Sequence, residues 1–244
     1  MIRTLAETGS TNADLIALAR SGTEDGLWLR AERQSAGRGR MGRGWESPVG
    51  NLYASHLVRL RAGDPEAPSL AFVAAVAVDE ALRCFAGDVE FQIKWPNDVM
   101  AFLSPAPPLK GRGFKIAGIL LERADDAVVI GIGVNLSHHP ENLDRPVTSL
   151  TALGVPAPDP ATFLEAMAEI FAAHLATWRS HGTAPIRTRW IERAHPAGTA
   201  LSVSQPDGTK LEGLFVGLDT DCALMLRLAD GSIRAIHAGD VFLI

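Results

Sequence analysis

The chain has 244 residues, of which 47% are hydrophobic and 21% charged, and its formal net charge at pH 7 is −5. This length predicts one large domain with, at most, a small appendage, and the negative charge argues against a nucleic-acid-binding surface. No apolar run reaches the ~20 residues of a membrane span, no signal-peptide pattern opens the sequence, and the two cysteines lack metal or redox spacing. We therefore predict a cytoplasmic protein in a reducing environment.

A cluster of polar residues introduces the first predicted helix. Ser10, Thr11 and Asn12 precede the apolar-periodic segment 13–20, and Gly22 follows it, as expected for a helix with a hydroxyl N-cap and a glycine stop. Hydroxyl and amide groups at a helix N-terminus can also bind a polar ligand. The spacing leaves both roles open.

A glycine- and arginine-rich loop lies between two predicted strands, 27–33 and 52–60. Arg38, Arg40 and Arg43 alternate with glycines, and Trp45 closes the run. Glycine lets main-chain N–H groups approach a ligand closely, and arginine binds carboxylates and phosphates. We therefore predict an anion-binding loop that its ligand orders.

Three other interpretations of this loop compete with an anion site. It can be a solvated surface loop, or an RNA-binding segment, although such segments are usually longer and this chain is acidic. Its glycines also match the dinucleotide-binding pattern G-x-G-x-x-G, but that pattern requires a helix to follow, and here a turn and a β-rich run follow. We reject the dinucleotide interpretation on this context.

The next segments predict the middle of a sheet. Segment 68–85 is apolar nearly all round and predicts a buried helix, in which Cys84 packs as a small apolar side chain. Strand 90–94 runs into the sequence KWPND at 94–98, whose polar side chains form either a ligand-binding strand end or a plain turn. The Pro/Gly-rich segment 104–113 predicts a long exposed excursion.

Two β-rich runs, 115–122 and 127–136, predict paired central strands. Gly118, Gly131 and Gly133 interrupt them, which indicates either a bulge or the close approach of other groups.

The last third of the chain changes in character. Helices are predicted over 160–178 and 185–193, and short β-rich runs separated by turn signals follow at 200–203, 211–218, 223–228 and 233–237. We therefore expect an α+β chain with a mixed-sheet domain at 1–196 and a small all-β barrel at 197–244.

Four separated segments together resemble the biotin–protein ligase family, also called biotin–[acetyl-CoA-carboxylase] ligases. They are GSTN at 9–12, RQSAGRGRMGRGWESPVGNLY at 33–53, KWPND at 94–98, and KIAGILLE with GIGVNL at 115–136. The resemblance implies a class II synthetase-like catalytic fold, with a mixed sheet and packed helices, followed by an SH3-like barrel.

The resemblance also implies a two-step reaction. The biotin carboxylate attacks the α-phosphate of ATP, giving biotinyl-5′-AMP and pyrophosphate, and a lysine amine of a biotin carboxyl carrier domain then attacks the mixed anhydride. Both substrates of the first step are anions, so preorganised cations and Mg²⁺ relieve their repulsion.

The family's roles carry over to matching positions as expectations. The expected catalytic residues are Arg38, Arg40 and Lys115. Biotin is expected to contact Ser10, Thr11, Asn12, Gln34, Gly37, Arg38, Gly39, Lys115, Gly118 and Gly133. The nucleotide is expected to contact Arg40, Arg43, Trp45, Asn97, Ile119 and Asn135, and Asp98 is expected either to contact Mg²⁺ or to scaffold its loop.

The sequence also departs from relatives. Those that double as repressors carry an N-terminal winged-helix domain, whereas here the STN segment begins at Ser10, so we expect a ligase without DNA binding. Met41 stands where relatives often carry a basic residue, so one phosphate contact is expected to be missing. The resemblance leaves both a monomer and a homodimer open. A lipoate–protein ligase and a non-catalytic biotin-binding regulator stay as alternatives, although the arginine pattern with Trp45 favours biotin.

Overall fold

A computed structural model describes residues 1–102, 113–143 and 145–244 of the chain. Its helices are α1 Thr11–Arg20, α2 Leu70–Phe85, α3 Pro160–His181 and α4 Ala184–Arg193. The first strands are β1 Ile2–Thr8, β2 Trp28–Gln34, β3 Leu52–Arg59, β4 Glu90–Lys94, β5 Asp98–Phe102, β6 Phe114–Ala124 and β7 Ala127–Val134. The remaining strands are β8 Ala200–Ser204, β9 Lys210–Leu218, β10 Leu224–Arg227, β11 Ile233–Ile236 and β12 Asp240–Leu243. The sequence-based helices and strands are confirmed, whereas β1, β5 and β12 were not predicted.

The larger sheet has the strand order β1-β2-β3-β7-β6-β5-β4. The β1/β2 pair is parallel and the other pairs are antiparallel, so the sheet is mixed. Strands β6 and β7 form a hairpin in its middle, which confirms the predicted central pair.

Helices cover both faces of this sheet. Alternate residues of a strand point to opposite faces, and accordingly Leu57 and Val129 pack with α1, whereas Val58 and Val128 pack in the core that contains α2 and α3. The α2 helix is buried along most of its length, as its apolar composition predicts. Cys84 is exposed, so the expectation that it packs is wrong; the buried residues of α2 end at Leu82, and Cys84 lies on the solvent side of the last turn.

The smaller sheet is antiparallel, with the order β11-β10-β9-β8-β12. It confirms the predicted all-β unit at the end of the chain. Two hydrogen bonds attach it to the end of β4: Lys94 Nζ donates to the carbonyl of Val241 at 3.0 Å, and Trp95 Nε1 donates to the carbonyl of Cys222 at 3.3 Å. The KWPND segment therefore lies where the two sheets meet.

Two further expectations concern the whole chain. The predicted excursion at 104–113 lies outside the described residues except for Gly113, and it stays a prediction. Within the ranges that the structure describes, no helix combines the length and apolar character that a bilayer crossing requires.

Candidate functional site

A cavity of about 370 Å³ opens on the α1 face of the larger sheet. The expected site residues that line it are Ser10, Thr11, Asn12, Gln34, Arg38, Gly39, Arg40, Arg43, Trp45, Asn97, Asp98, Lys115, Gly118, Ile119 and Gly133. The fold thus brings four segments that are far apart in sequence around one space. Gly37 and Asn135 belong to the expected set but are not among its lining residues.

Glycines on the central strands give the cavity its depth. A Cβ at Gly133 on β7 would lie 2.6 Å from the Trp45 ring, and one at Gly118 on β6 would lie 3.0 Å from both Trp45 and the Lys115 side chain. Gly131 has equally little room, because a Cβ there would meet the Asn12 amide. The groups that approach these glycines closely are therefore the side chains of Trp45, Lys115 and Asn12, which lie over the sheet.

The N-terminus of α1 forms one wall of the cavity. Ser10 caps the helix by accepting a hydrogen bond from the backbone N–H of Ala13 at 3.5 Å, as predicted, and it also lines the cavity. The backbone N–H and hydroxyl of Thr11 both donate to Gln34 Oε1, at 2.9 and 3.1 Å. Gln34 Nε2 in turn donates to Ser47 Oγ at 3.1 Å. These bonds attach the arginine loop to the first turn of α1.

The arginine loop folds back on itself. The N–H of Trp45 donates to the carbonyl of Gly37 at 2.9 Å, and that of Gly39 donates to the carbonyl of Arg43 at 2.7 Å. Met41, at the tip, is 76% exposed and has a φ of 57°, a left-handed conformation that disfavours most side chains. A Cβ at Gly37 would lie 2.5 Å from the Trp45 carbonyl oxygen, so the loop can fold back in this way only because Gly37 has no side chain. Gly37 itself lies behind the cavity wall.

The arginines of the loop have partners far away in the sequence. Arg43 NH2 donates to Asp240 Oδ2 at 2.5 Å. Arg40 NH1 donates to Asn97 Oδ1 at 3.1 Å and lies 3.7 Å from the Asp240 carboxylate. Arg38 NH2 lies 3.8 Å from Glu122 Oε1. Asp240 and Glu122 were not predicted from the sequence, because Asp240 lies in the terminal barrel and Glu122 lies towards the end of a hydrophobic strand.

A buried ion pair lies at the floor of the cavity. Lys115 on β6 pairs with Asp98 on β5, and Lys94 Nζ lies 3.7 Å from the same carboxylate. Burial raises the pKa of Asp98, but Lys115 and Lys94 outweigh burial and hold that pKa below its usual value. Burial lowers the pKa of the Lys115 ammonium, and Asp98 opposes this only in part. An anion that entered beside Lys115 would therefore favour its charged form.

Trp45 covers the floor beside this ion pair. The ammonium of Lys115 is 5.4 Å from the centroid of its ring, within the range of a cation–π contact. Its indole N–H is buried and has no hydrogen-bond partner among the described residues. Trp45 thus offers a free donor close to the cationic floor.

Asn135 supports the site from behind. Its side chain is buried and donates to the carbonyl of Thr148 at 3.0 Å, while the Thr148 N–H donates to the carbonyl of Lys115. It also borders a small cleft of about 40 Å³ shared with Trp45 and Lys115. These contacts make Asn135 a support for the strand that carries Lys115.

The residues around Asp98 do not form an evident metal-binding set. Its carboxylate is already engaged by Lys115 and Lys94. Across the three described ranges, no three His, Cys, Asp or Glu side chains are arranged so that they could hold a metal ion. Of the two roles expected for Asp98, the contacts favour the scaffold.

The cavity is electropositive although the chain carries a net charge of −5. Six cationic side chains, Arg38, Arg40, Arg43, Lys94, Lys115 and Arg145, line it against the two carboxylates of Asp98 and Asp240 among the described lining residues. Partly enclosed clefts lined by one sign of charge concentrate ligands of the opposite sign. The arrangement is therefore suited to a large anion.

Comparisons with known proteins agree on one family. The profile described as "Biotin/lipoate A/B protein ligase family" matches residues 8–135, and "Biotin protein ligase C terminal domain" matches residues 202–244. The chain is 38% identical to the biotin–[acetyl-CoA-carboxylase] ligase of Paracoccus denitrificans, over 98% of each chain. It is 37% identical to the ligase of the same name from Mycobacterium tuberculosis, over 97% of this chain and 86% of the relative.

A solved structure shows the same fold over the full length. It is the biotin protein ligase from Aquifex aeolicus in complex with biotin and ATP, which is 25% identical and superposes with a TM-score of 0.84, covering 100% of this chain and 99% of that one. The mixed sheet with its helices and the C-terminal SH3-like sheet are thus the biotin protein ligase fold. The chain belongs to the biotin–protein ligase family.

Proposed function

We propose that this chain joins biotin to a lysine of a biotin carboxyl carrier domain, with ATP as co-substrate and biotinyl-5′-AMP as the intermediate. The observation that carries the proposal is the convergence of GSTN, the arginine loop, KWPND and the Lys115 strand around one electropositive cavity. The relatives named biotin–[acetyl-CoA-carboxylase] ligase support it at 37% and 38% identity over nearly the whole chain.

In the first step, a carboxylate oxygen of biotin forms a bond to the α-phosphorus of ATP, the bond from that phosphorus to the bridging oxygen breaks, and pyrophosphate leaves with the electron pair. The barrier is largely the repulsion between two anions, which preorganised cations lower. We assign Lys115, Arg38 and Arg40 to this role. Asp98 holds Lys115 in place, whereas Arg40 is held by Asn97 and gives up its 3.7 Å contact with Asp240 when a phosphate binds it.

The polar wall at the α1 N-terminus is assigned to the uncharged end of biotin. Ser10, Thr11, Asn12 and Gln34 present hydroxyl and amide groups that can hydrogen-bond a ureido ring. Gly39 lines the same cavity, whereas Gly118 and Gly133 make room for the Trp45 ring over the sheet. If a buried ureido group loses one such hydrogen-bond partner, the binding free energy is weakened by roughly 1–3 kcal/mol. Gly37 contributes by permitting the fold of the loop that carries Arg38.

The nucleotide is assigned to the opposite side of the cavity. Arg43, Asn97 and Ile119 lie there with Trp45, whose unpartnered N–H is a candidate donor. Asn135 acts behind this side by fixing the Lys115 strand. Mg²⁺ would arrive with the triphosphate of ATP and reduce its charge, since the contacts of Asp98 do not favour it as a ligand of the metal.

In the second step, a neutral lysine amine of the carrier attacks the carbonyl carbon of the anhydride. An amide bond forms, the bond from that carbon to the phosphate oxygen breaks, AMP leaves with the electron pair, and the amine loses a proton. The cations that bound the adenylate would also stabilise the departing phosphate. The absence of DNA binding, the oligomeric state and the cytoplasmic location stay predictions.

We also propose a division into domains at residues 1–196 and 197–244. It is supported by the end of α4 at Arg193 and the start of the second sheet at Ala200. The two units are not independent in function, because Asp240 and the strand that carries it line the cavity.

The test of the first step is biotin-dependent ATP–pyrophosphate exchange by the purified protein with Mg²⁺, and with lipoate as the control. Exchange with biotin alone is expected. Exchange with lipoate instead would assign the chain to the lipoate ligases, and no exchange by folded protein with either acid would leave only the non-catalytic, biotin-binding alternative.

A further inference from the structure

Behind the wall of the cavity, the side chains of Ser55 and Glu122 contact Asn12, and neither of these two residues has an assigned role. Ser55 on β3, Gly131 on β7 and Leu120 on β6 are register neighbours across three adjacent strands. Asn12, in the first turn of α1, lies directly over Gly131, since a Cβ there would meet its amide. The missing side chain at Gly131 therefore lets Asn12 reach the surface of the sheet.

The amide of Asn12 is hydrogen-bonded at both ends. Its Oδ1 accepts a hydrogen bond from Ser55 Oγ at 2.5 Å, and its Nδ2 donates to Glu122 Oε2 at 2.8 Å. Asn12 is 4% exposed and Ser55 is fully buried, so leaving either group unpaired is costly. Ser55 and Glu122 together fix the orientation of the amide.

Glu122 has a second contact, on the side of the arginine loop. Its Oε1 lies 3.8 Å from Arg38 NH2, and the two side chains are 29% and 47% exposed. Arg38 lines the cavity, whereas Glu122 is not among the described residues that do. One carboxylate thus connects the first turn of α1 with the arginine loop from behind the cavity wall.

We propose that Glu122 is a positioning residue for biotin: it holds Arg38 over the cavity and fixes the Asn12 amide, so that both sides of the biotin site are aligned before the ligand arrives. This inference rests on the proposed function. The two contacts differ in what they require, since Asn12 needs only an acceptor, whereas Arg38 needs a negative charge. Glutamine keeps the size and the acceptor but removes the charge, and it therefore separates the two contacts.

The test is a double-mutant cycle read out by the Kd for biotin, measured by calorimetry without ATP. Glu122→Gln is expected to raise the Kd about two- to fivefold, the range of a partly exposed ion pair. Added to Arg38→Gln, it is expected to change the Kd by less than about twofold, because its partner is already gone. If the two single effects multiply, Glu122 does not act through Arg38 and the inference is overturned.

Salt dependence separates positioning by charge from a general structural defect. The Kd for biotin of Glu122→Gln is divided by that of the wild type at each salt concentration. This ratio is expected to fall towards one as the salt is raised from about 0.05 to 1 M, because the screening length is only ~3 Å at 1 M. A ratio that does not change with salt would contradict the inference. If the glutamine variant lowers the urea midpoint markedly, Glu122→Asp, which keeps the charge, must bind biotin more tightly than the glutamine variant.

The matched control is Glu32→Gln on β2. The carboxylate of Glu32 lies 3.7 Å from Arg30 NH2, outside the cavity lining, so the same change is expected to leave the Kd as in the wild type. Wild-type protein that fails to bind biotin would overturn the proposed function itself. Wild-type binding together with an unchanged Glu122→Gln variant would overturn only the role of Glu122.

Discussion

Arg43 donates a hydrogen bond to Asp240 at 2.5 Å, which joins the arginine loop to the first residue of the last strand. The same carboxylate lies 3.7 Å from Arg40, and Arg40 NH2 donates to the carbonyl of Gly239 at 3.5 Å. Two arginines assigned to phosphates are therefore paired with the C-terminal barrel in the ligand-free state. A triphosphate that binds them competes with Asp240.

Asp240→Asn is expected to lower the Kd for ATP about two- to fivefold at low salt, because an exposed ion pair of ~0.5–1 kcal/mol no longer has to be broken. Calorimetric titration of the biotin-bound protein with ATP measures this. The matched control is Asp230→Asn, an exposed turn residue whose side chain accepts from Ser232. Weaker ATP binding by Asp240→Asn would show that the carboxylate assists the nucleotide.

Replacing Lys115 is expected to separate stability from activity. Lys115→Met leaves the buried Asp98 carboxylate without its hydrogen-bonded partner, which destabilises the fold. It also removes a preorganised cation, which slows exchange on the order of 10²-fold. Adding Asp98→Asn is expected to restore the urea midpoint without restoring exchange. Recovery of exchange in the double variant would contradict the role of Lys115 as a catalytic cation.

Arg40→Gly is expected to release the adenylate before transfer. The substitution removes the contacts with Asn97 and Asp240 that hold this part of the loop over the cavity. Free biotinyl-5′-AMP acylates exposed amines, so mass spectrometry is expected to find biotin on many lysines of a bystander protein. Arg61→Gly, at an exposed ion pair with Asp25 outside the cavity lining, is the control. Labelling confined to the carrier lysine would show that Arg40 does not retain the adenylate.

Gly133→Ala is expected to displace Trp45. A methyl group there would lie 2.6 Å from the indole ring, so the ring must move, and tryptophan fluorescence is expected to shift together with a loss of ATP affinity of at least about tenfold. Gly44→Ala is the matched control, because its added methyl group lies in the same loop and meets no described residue within 4 Å other than its two chain neighbours. Equal behaviour of the two variants would mean that Trp45 has no part in the site.

Two buried histidines are expected to lower the free energy of unfolding as the pH falls. Burial lowers the pKa of His56 to about 3 and that of His195 to about 4. Below pH ~6.5 the unfolded chain takes up protons at both sites while the folded chain does not. Stability is therefore full above that pH, and the free energy of unfolding falls by roughly 2 kcal/mol per histidine between pH 7.5 and 5.

Urea unfolding at the two pH values measures this loss. His56→Phe keeps a ring between Trp28 and Phe171 and removes one titrating group, so its stability is expected to vary less steeply with pH. His181→Gln, at an exposed position near the end of α3, is the control. The same pH dependence in His56→Phe and wild type would contradict the account.

The elements that the sequence predicted best are those whose pattern of apolar residues reflects how deeply they are buried. The apolar α2 and the β-rich runs of β6 and β7 lie in the core, so their composition carries their structure. Strand β1 was missed because it lies at the edge of the sheet, and most of its residues are exposed. Strand β12 was missed because it has only four residues and begins close behind the end of β11 at Ile236.

Site residues that lie together in a short motif were predicted from the sequence, whereas contacts between residues far apart in the sequence were missed. The loop arginines follow from local sequence, but the pairing of Arg43 with Asp240 depends on how the barrel packs against the end of β4. The contact of Asn12 with Glu122 depends on the register of three strands beneath it. Gly37 and Asn135 were placed in the site by resemblance, whereas their contacts assign them to its support.

The most direct test of the central claim is the intact mass of a biotin carboxyl carrier domain incubated with this protein, biotin, ATP and Mg²⁺. The expected result is the addition of one biotinyl group, which requires both substrates and is lost when the acceptor lysine of the carrier is replaced by arginine. A carrier that stays unmodified by folded protein, or one that takes up lipoate in place of biotin, would contradict the account.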